Sequence, residues 1–129
     1  MSSDPVVRVL VTGSRELTDF ELVRGALSAA RMEFGPGMLV VHGGARGADK
    51  LAAGIASWFG LRVEKWSADW RGHGKAAGFI RNQAMVDAGA AVCLVFMVEG
   101  AACNGTKDAW RRARLAGIPC RVYTQEAAL

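Results

Sequence analysis

Five short apolar runs, Arg8–Thr12, Met38–His42, Leu61–Trp66, Ala91–Met97 and Pro119–Thr124, alternate along the chain with stretches of helical periodicity. Runs such as Val9-Leu10-Val11 and Val92-Cys93-Leu94-Val95-Phe96 have no polar face. A strand of that kind is buried on both sides, which requires a parallel sheet covered by helices above and below. Four helical patterns occupy the intervals. The first opens at Thr18-Asp19, where Thr18 and Glu21 have capping-box spacing, and should bury Phe20, Val23, Leu27 and Ala30. The second sets Leu51, Ile55 and Phe59 on one face. The third runs from about Phe79 to Ala88 with Ile80, Ala84 and Met85 inward. The fourth, Thr106 to Ala116, groups Ala109, Trp110 and Ala113 and leaves Arg111, Arg112 and Arg114 largely outside. Gly60, Gly89 and Gly117 follow the last residues of helices, where a left-handed C′ position suits glycine. The β-α-β-α-β-α-β-α-β rhythm predicts a doubly wound α/β fold, one domain over residues 1–129, with five parallel strands and helices on both faces. Ligands of such sheets bind beyond the carboxyl ends of the strands.

Glycine is in excess there. It makes up 16 of 129 residues, against a typical ~7%, and no low-complexity tract accounts for it. Gly25 and Gly54 fall inside helices, where close packing is the expected reason, but nine glycines fall in loops at or near the predicted carboxyl edge. The net charge of +4 lies in the second half: residues 62–129 hold ten basic and six acidic side chains, whereas residues 1–61 hold six of each. A phosphorylated small molecule satisfies this excess as well as nucleic acid does. Cys93, Cys103 and Cys120 form neither a disulfide framework nor a Cys-x-x-Cys pair. With no membrane-length apolar run and no signal-peptide pattern at Met-Ser-Ser-Asp-Pro, the expected setting is the reducing cytoplasm, with no membrane partner.

Four loops carry the candidate chemistry. Thr12-Gly13-Ser14-Arg15 offers a backbone that can approach a ligand, a hydroxyl and a planar cation. His42-Gly43-Gly44-Ala45-Arg46-Gly47-Ala48-Asp49 runs straight into a helix, and its glycines free backbone N–H groups for an anion. It has neither Walker A nor Gly-x-Gly-x-x-Gly spacing. Asp49 suits a helix N-cap and His42 a hydrogen-bonded structural role. The long stretch Ser67 to Gly78 carries Trp70 as a stacking face and Arg71, His73 and Lys75 as charge. His73 has no partner at ligand spacing, so no metal and no cofactor are expected. Arg81-Asn82 follows in the first turn of the third helix, where a cation opposes the helix dipole and so favours a bound anion. Gly105-Thr106, at the start of the fourth helix, makes a second phosphate seat with Thr106 as cap and ligand.

These motifs together resemble the YspA/YpsA-related family of the SLOG superfamily: Thr12-Gly13-Ser14-Arg15, Val41 to Asp49, Ala68-Asp69-Trp70 with Gly74-Lys75-Ala76-Ala77-Gly78 and Arg81-Asn82-x-x-Met85, and Gly105-Thr106-x-Asp108. The resemblance spans about residues 8–122. It implies a Rossmann-like sheet in the order 3-2-1-4-5 and a nucleotide-derived ligand. Relatives include the Lonely Guy phosphoribohydrolases and the DNA-processing Smf/DprA proteins. In the Lonely Guy enzymes an Arg-Lys-x-x-Met motif supplies a catalytic arginine, to which Arg81-Asn82-Gln83-Ala84-Met85 is similar; the position of their catalytic glutamate is Ala109 here.

Three functions follow as expectations. The first is binding, with or without sensing, of a nucleotide-like small molecule by Gly13, Ser14, Arg15, Gly43, Gly44, Ala45, Arg46, Gly47, Trp70, Lys75, Asn82, Gly105 and Thr106. The second is cleavage of a nucleotide N-glycosidic bond, with Arg81 as electrostatic stabiliser and Asp108 or Asp69 as acid or base. The third is DNA binding through Arg111, Arg112, Arg114 and Arg121, against which the small net charge argues. Helices carrying Trp58 or Trp110 are the candidate surfaces for a homodimer.

Overall fold

The computed structural model describes residues 6–127. Strands β1 (Arg8–Gly13), β2 (Leu39–His42), β3 (Arg62–Lys65), β4 (Val92–Val98) and β5 (Cys120–Gln125) form one parallel sheet in the order β3-β2-β1-β4-β5. Between them lie α1 (Phe20–Phe34), α2 (Ala48–Trp58), a one-turn α3 (Trp70–His73), α4 (Ala77–Asp87) and α5 (Asn104–Leu115).

The side-chain alternation of each strand explains the all-apolar runs. Val9, Val11, Val40, Leu94 and Phe96 point to one face and pack on Val23, Leu27 and Ala30 of α1 and Ala52 and Ile55 of α2. Leu10, Val41, Cys93 and Val95 point to the other and meet Met85 and Val86 of α4 and Ala113 of α5. A one-residue slip of register would exchange the two sets, so the apolar pattern fixes pairing strongly. The chain leaves β1 in one direction to build β2 and β3 and in the other to build β4 and β5. The crevice where order reverses therefore opens between the carboxyl ends of β1 and β4.

Several local expectations are corrected. The N-cap of α1 is Asp19, whose Oδ1 accepts from Leu22 N at 3.1 Å; Thr18 does not form a capping box, because Glu21 is paired with Arg24 and the Thr18 hydroxyl accepts from Gln125. Phe20, at the first helical position, is 43% exposed, since the helix starts beyond the edge of the core. Helix α4 begins at Ala77, not near Phe79, and the long stretch before it holds α3 and a 3₁₀ turn, Gly74–Ala76. Met85 lies inward as expected, but Ile80 is 44% exposed, because the buried face of α4 carries Ala77, Asn82, Met85 and Val86. A Cβ at Gly25 or Gly54 would have no neighbour within 4 Å, so close packing does not account for them. Arg112 is half-buried against Asp108 and not on the solvent side. Gly60, Gly89 and Gly117 do end helices with positive φ; Gly60 N and Leu61 N donate to Ser57 O and Ala56 O, the paired bonds of a Schellman motif.

Candidate functional site: a cationic cleft at the carboxyl edge of the sheet

A cleft of about 380 Å³ lies over the carboxyl ends of β1 and β4. A second lobe of about 360 Å³ adjoins it and shares Arg15, Gly43, Ala45, Trp70 and Arg81 with the first. All four loops singled out by the sequence contribute to the larger lobe.

The first two loops are locked together before any ligand arrives. Gly13 is pressed between layers: a Cβ there would overlap Ala48 Cβ and stand 2.8 Å from the Phe96 carbonyl. Its close approach is thus to the protein's own sheet and helix. Gly47 adopts φ +76°, and a side chain on it would strike the backbone of Ser14 and Arg15. Only glycine fits both the conformation and the space. Ala48 N then donates to Ser14 O at 3.1 Å, and Ser14 Oγ accepts from Glu16 N, shaping the turn that projects Arg15. Arg15 is exposed, and among the described residues its side chain has no hydrogen-bond or ion-pair partner.

The glycine loop after β2 is closed by the protein itself. Asp49 is not the N-cap of α2; that position is Gly47, with no side-chain cap. The Asp49 carboxylate turns back instead, and its Oδ2 accepts from Gly43 N and Ala45 N, each at 3.1 Å. Gly44 N donates to Nδ1 of the buried His42 at 2.9 Å. Three N–H groups that the sequence offers to an anion therefore have internal partners. Asp49 is 6% exposed, and burial pushes its carboxyl up to about 6 against the lowering effect of those N–H donors and of Arg81 and Arg15. Burial also lowers His42, as do the charges of Lys65 and Arg81. Gly44 lines only the smaller lobe, Arg46 the larger, and Gly47 neither.

Arg81 holds loops in place. With α4 starting at Ala77, it sits in the second turn and not at the helix dipole. Its Nη1 donates to Gly43 O at 2.7 Å and Nε to Asn82 Oδ1 at 2.9 Å. Asn82, 5% exposed, passes the connection on through Nδ2 to Asp108 at 3.1 Å. Asp108 is engaged by Arg112 at 2.8 Å and by Arg111 at 3.4 Å. Burial tends to raise its carboxyl, but hydrogen bonds from Arg112 and Asn82 and the nearby arginine charges hold it below the usual carboxylate range. Neither carboxylate proposed as acid or base lines the cleft. Asp108 belongs to this arginine network, and Asp69 caps α3 by accepting from Gly72 N at 2.9 Å. The acidic side chains in the larger lobe are Glu16 and Asp49. Asp49 was hidden in the sequence by its suitability as a cap; an acidic residue six positions after the first glycine of the loop, able to reach back, was the available signal.

The remaining wall is open. Helix α5 starts at Asn104 with Cys103 as N-cap, so Thr106 stands in the first turn and is not the cap. No side chain caps this helix. Its first turn, Asn104 to the buried Thr106, lines the cleft, where helix geometry places partial positive charge. Lys75, exposed and without a partner among the described residues, lines the same space. Trp70, 55% exposed, forms a wall common to both lobes, while Phe79 and Met85 supply apolar lining to the larger. The four arginines considered for DNA are engaged otherwise: Arg111 and Arg112 with Asp108, Arg121 with Glu33, and Arg114 over the Trp110 ring at 5.2 Å.

Residues 7–73 match the family model described as the YspA, cpYpsA-related SLOG family. The Gene 61 protein of Mycobacterium phage D29 is 45% identical over 119 residues, covering 87% of this chain and 92% of that protein. Among solved structures, DNA processing protein A (DprA) from Streptococcus pneumoniae superposes with a TM-score of 0.58 at 14% identity, over 90% of this chain and 58% of that one. The chain thus spans little more than half the length of DprA, and the likeness is one of fold. The chain belongs to the YspA, cpYpsA-related SLOG family. No helix among the described residues is long and apolar enough to cross a membrane.

Proposed function

We propose that this SLOG-family chain binds, and through binding senses, a nucleotide or nucleotide-derived phosphorylated ligand in the cleft between β1 and β4. One observation carries the reading: Arg15, Lys75 and the uncapped start of α5 face one cleft together, with no carboxylate partnering either cation among the described residues. Cations and helix N–H groups left free beside a cavity suit an anion. Trp70 supplies a flat surface for a base, and family membership supports a nucleotide-related ligand. Phosphate is assigned to α5, Arg15 and Lys75, and not to the N–H groups of Gly43–Ala45, which Asp49 and His42 already hold. Binding is preferred to N-glycosidic cleavage because Asp108 and Asp69 stand outside the cleft lining.

Thermal unfolding in the presence of AMP, ADP, ATP and ADP-ribose tests this. A ligand at 100 times its Kd stabilises the native state by about 2.7 kcal/mol. The shift is expected with at least one of the four and should be strongly reduced in Arg15→Ala and Lys75→Ala. A flat response at millimolar concentrations contradicts the proposal.

A further inference from the structure

We infer that Asp49 selects ligands that carry a sugar hydroxyl: Oδ2 closes the glycine loop while Oδ1 accepts a hydrogen bond from a hydroxyl of the bound nucleotide. This rests on the nucleotide reading above and deepens it. The two oxygens of Asp49 have different surroundings. Oδ2 takes both loop N–H groups, from Gly43 and Ala45. Oδ1 has no partner among the described residues, although the side chain is more than nine-tenths buried. Among the described residues no side-chain oxygen sealed from solvent lacks a partner, so Oδ1 keeps its access, and Asp49 lines the larger lobe.

The chemistry narrows what can meet that atom. An ionised carboxylate only accepts hydrogen bonds, so its complement is a donor. A phosphate oxygen is repelled by it. A cationic donor is disfavoured because Arg81 and Arg15 already bring positive charge to Asp49. What remains is a neutral donor. In a nucleotide whose phosphate rests on α5 in the same lobe, the sugar hydroxyls are the neutral donors bonded closest to the phosphate. A site built around such a contact rejects the analogue lacking it, because the desolvated acceptor is then left without a partner.

Calorimetric titration of AMP, 2′-deoxy-AMP, 3′-deoxy-AMP and IMP into the wild type, Asp49→Ala and Asp49→Asn tests the assignment. The wild type should bind one of the deoxy compounds roughly tenfold or more weakly than AMP. In Asp49→Ala that difference should fall to within about threefold. Should the alanine variant disorder the loop, visible in the Gly43 and Ala45 amide resonances, Asp49→Asn retains an acceptor for both N–H groups but loses the charge that strengthens the contact, and the discrimination should fall severalfold. Equal binding of AMP and both deoxy compounds by the wild type overturns the inference and leaves the nucleotide reading standing. Discrimination unchanged in Asp49→Ala also overturns it, as does a penalty confined to IMP, which would make Asp49 a reader of the base. No binding of any of the four at millimolar concentration overturns the nucleotide reading and this inference together.

Discussion

Helices α2 and α5 both begin just after a glycine-bearing loop at the carboxyl edge of the sheet, yet their surroundings differ. Before α2, the N–H groups of Gly43, Gly44 and Ala45 are held by Asp49 and His42, and Gly47 is wedged against Ser14 and Arg15. Neither helix has a side-chain cap, but in the first turn of α5 Gly105 has nothing within 4 Å of a Cβ, and among the described residues no carboxylate turns back to accept from the backbone before it. The same kind of sequence thus makes a rigid internal joint in one place and an open helix start in the other. What separates them is whether the chain supplies its own carboxylate. Glycine and a helix start do not by themselves decide whether such a loop closes on itself or stays open.

Substitution at the two glycines should separate these roles most strongly. Gly47→Ala forces a side chain into a φ of +76° and against neighbouring backbone, with an expected loss of about 3 kcal/mol or more in urea unfolding. Gly105→Ala removes only glycine's helical penalty and should raise stability by up to about 1 kcal/mol. Equal costs at both positions would break the distinction.

A somewhat smaller effect concerns pH. Burial pushes the native Asp49 carboxyl up to about 6, against 3.8 for a free aspartate side chain. The native state therefore binds more protons between these values, and stability from this group rises as pH falls through that window. Asp108, held low, contributes in the opposite direction in more acidic solution. Comparing wild type with Asp49→Asn isolates the first effect: between pH 7 and 4.5 the wild type should gain about 2 kcal/mol relative to the variant. A constant difference would mean that the carboxylate is not desolvated, and the closed character of the first loop would be lost. The smallest effect is expected at Asp108→Ala, which should cost about 1–2 kcal/mol through the stranded Arg112 and Asn82 while leaving nucleotide-induced stabilisation intact. Loss of that stabilisation would place the arginine network in the site.

The sheet was the most legible part of the chain, because Val9-Leu10-Val11 and Val92–Phe96 admit no half-exposed reading and both faces are covered as that pattern requires. The order 3-2-1-4-5 was legible only through resemblance, since periodicity does not say which side of β1 receives β4. Phe20 was misplaced because it stands at the first helical position, beyond the edge of the core, although Val23, Leu27 and Ala30 lie inward as expected; Ile80 was misplaced because the buried face of α4 carries Ala77, Asn82, Met85 and Val86. The loops that form the cleft could be found from glycine and charge. Their division of labour could not, because Asp49 reaching back to Gly43, and Arg81 donating to the Gly43 carbonyl 38 positions away, are contacts made by the tertiary fold.

The most direct test is an amide-resolved NMR titration of the ¹⁵N-labelled protein with AMP or ADP-ribose. Saturating shifts should appear at Arg15, Trp70, Lys75, Gly105 and Thr106, while the Gly43 and Ala45 amides keep the signature of their bonds to Asp49. Absence of saturating shifts at millimolar ligand, or shifts confined to the Arg111–Arg114 face, would contradict the account.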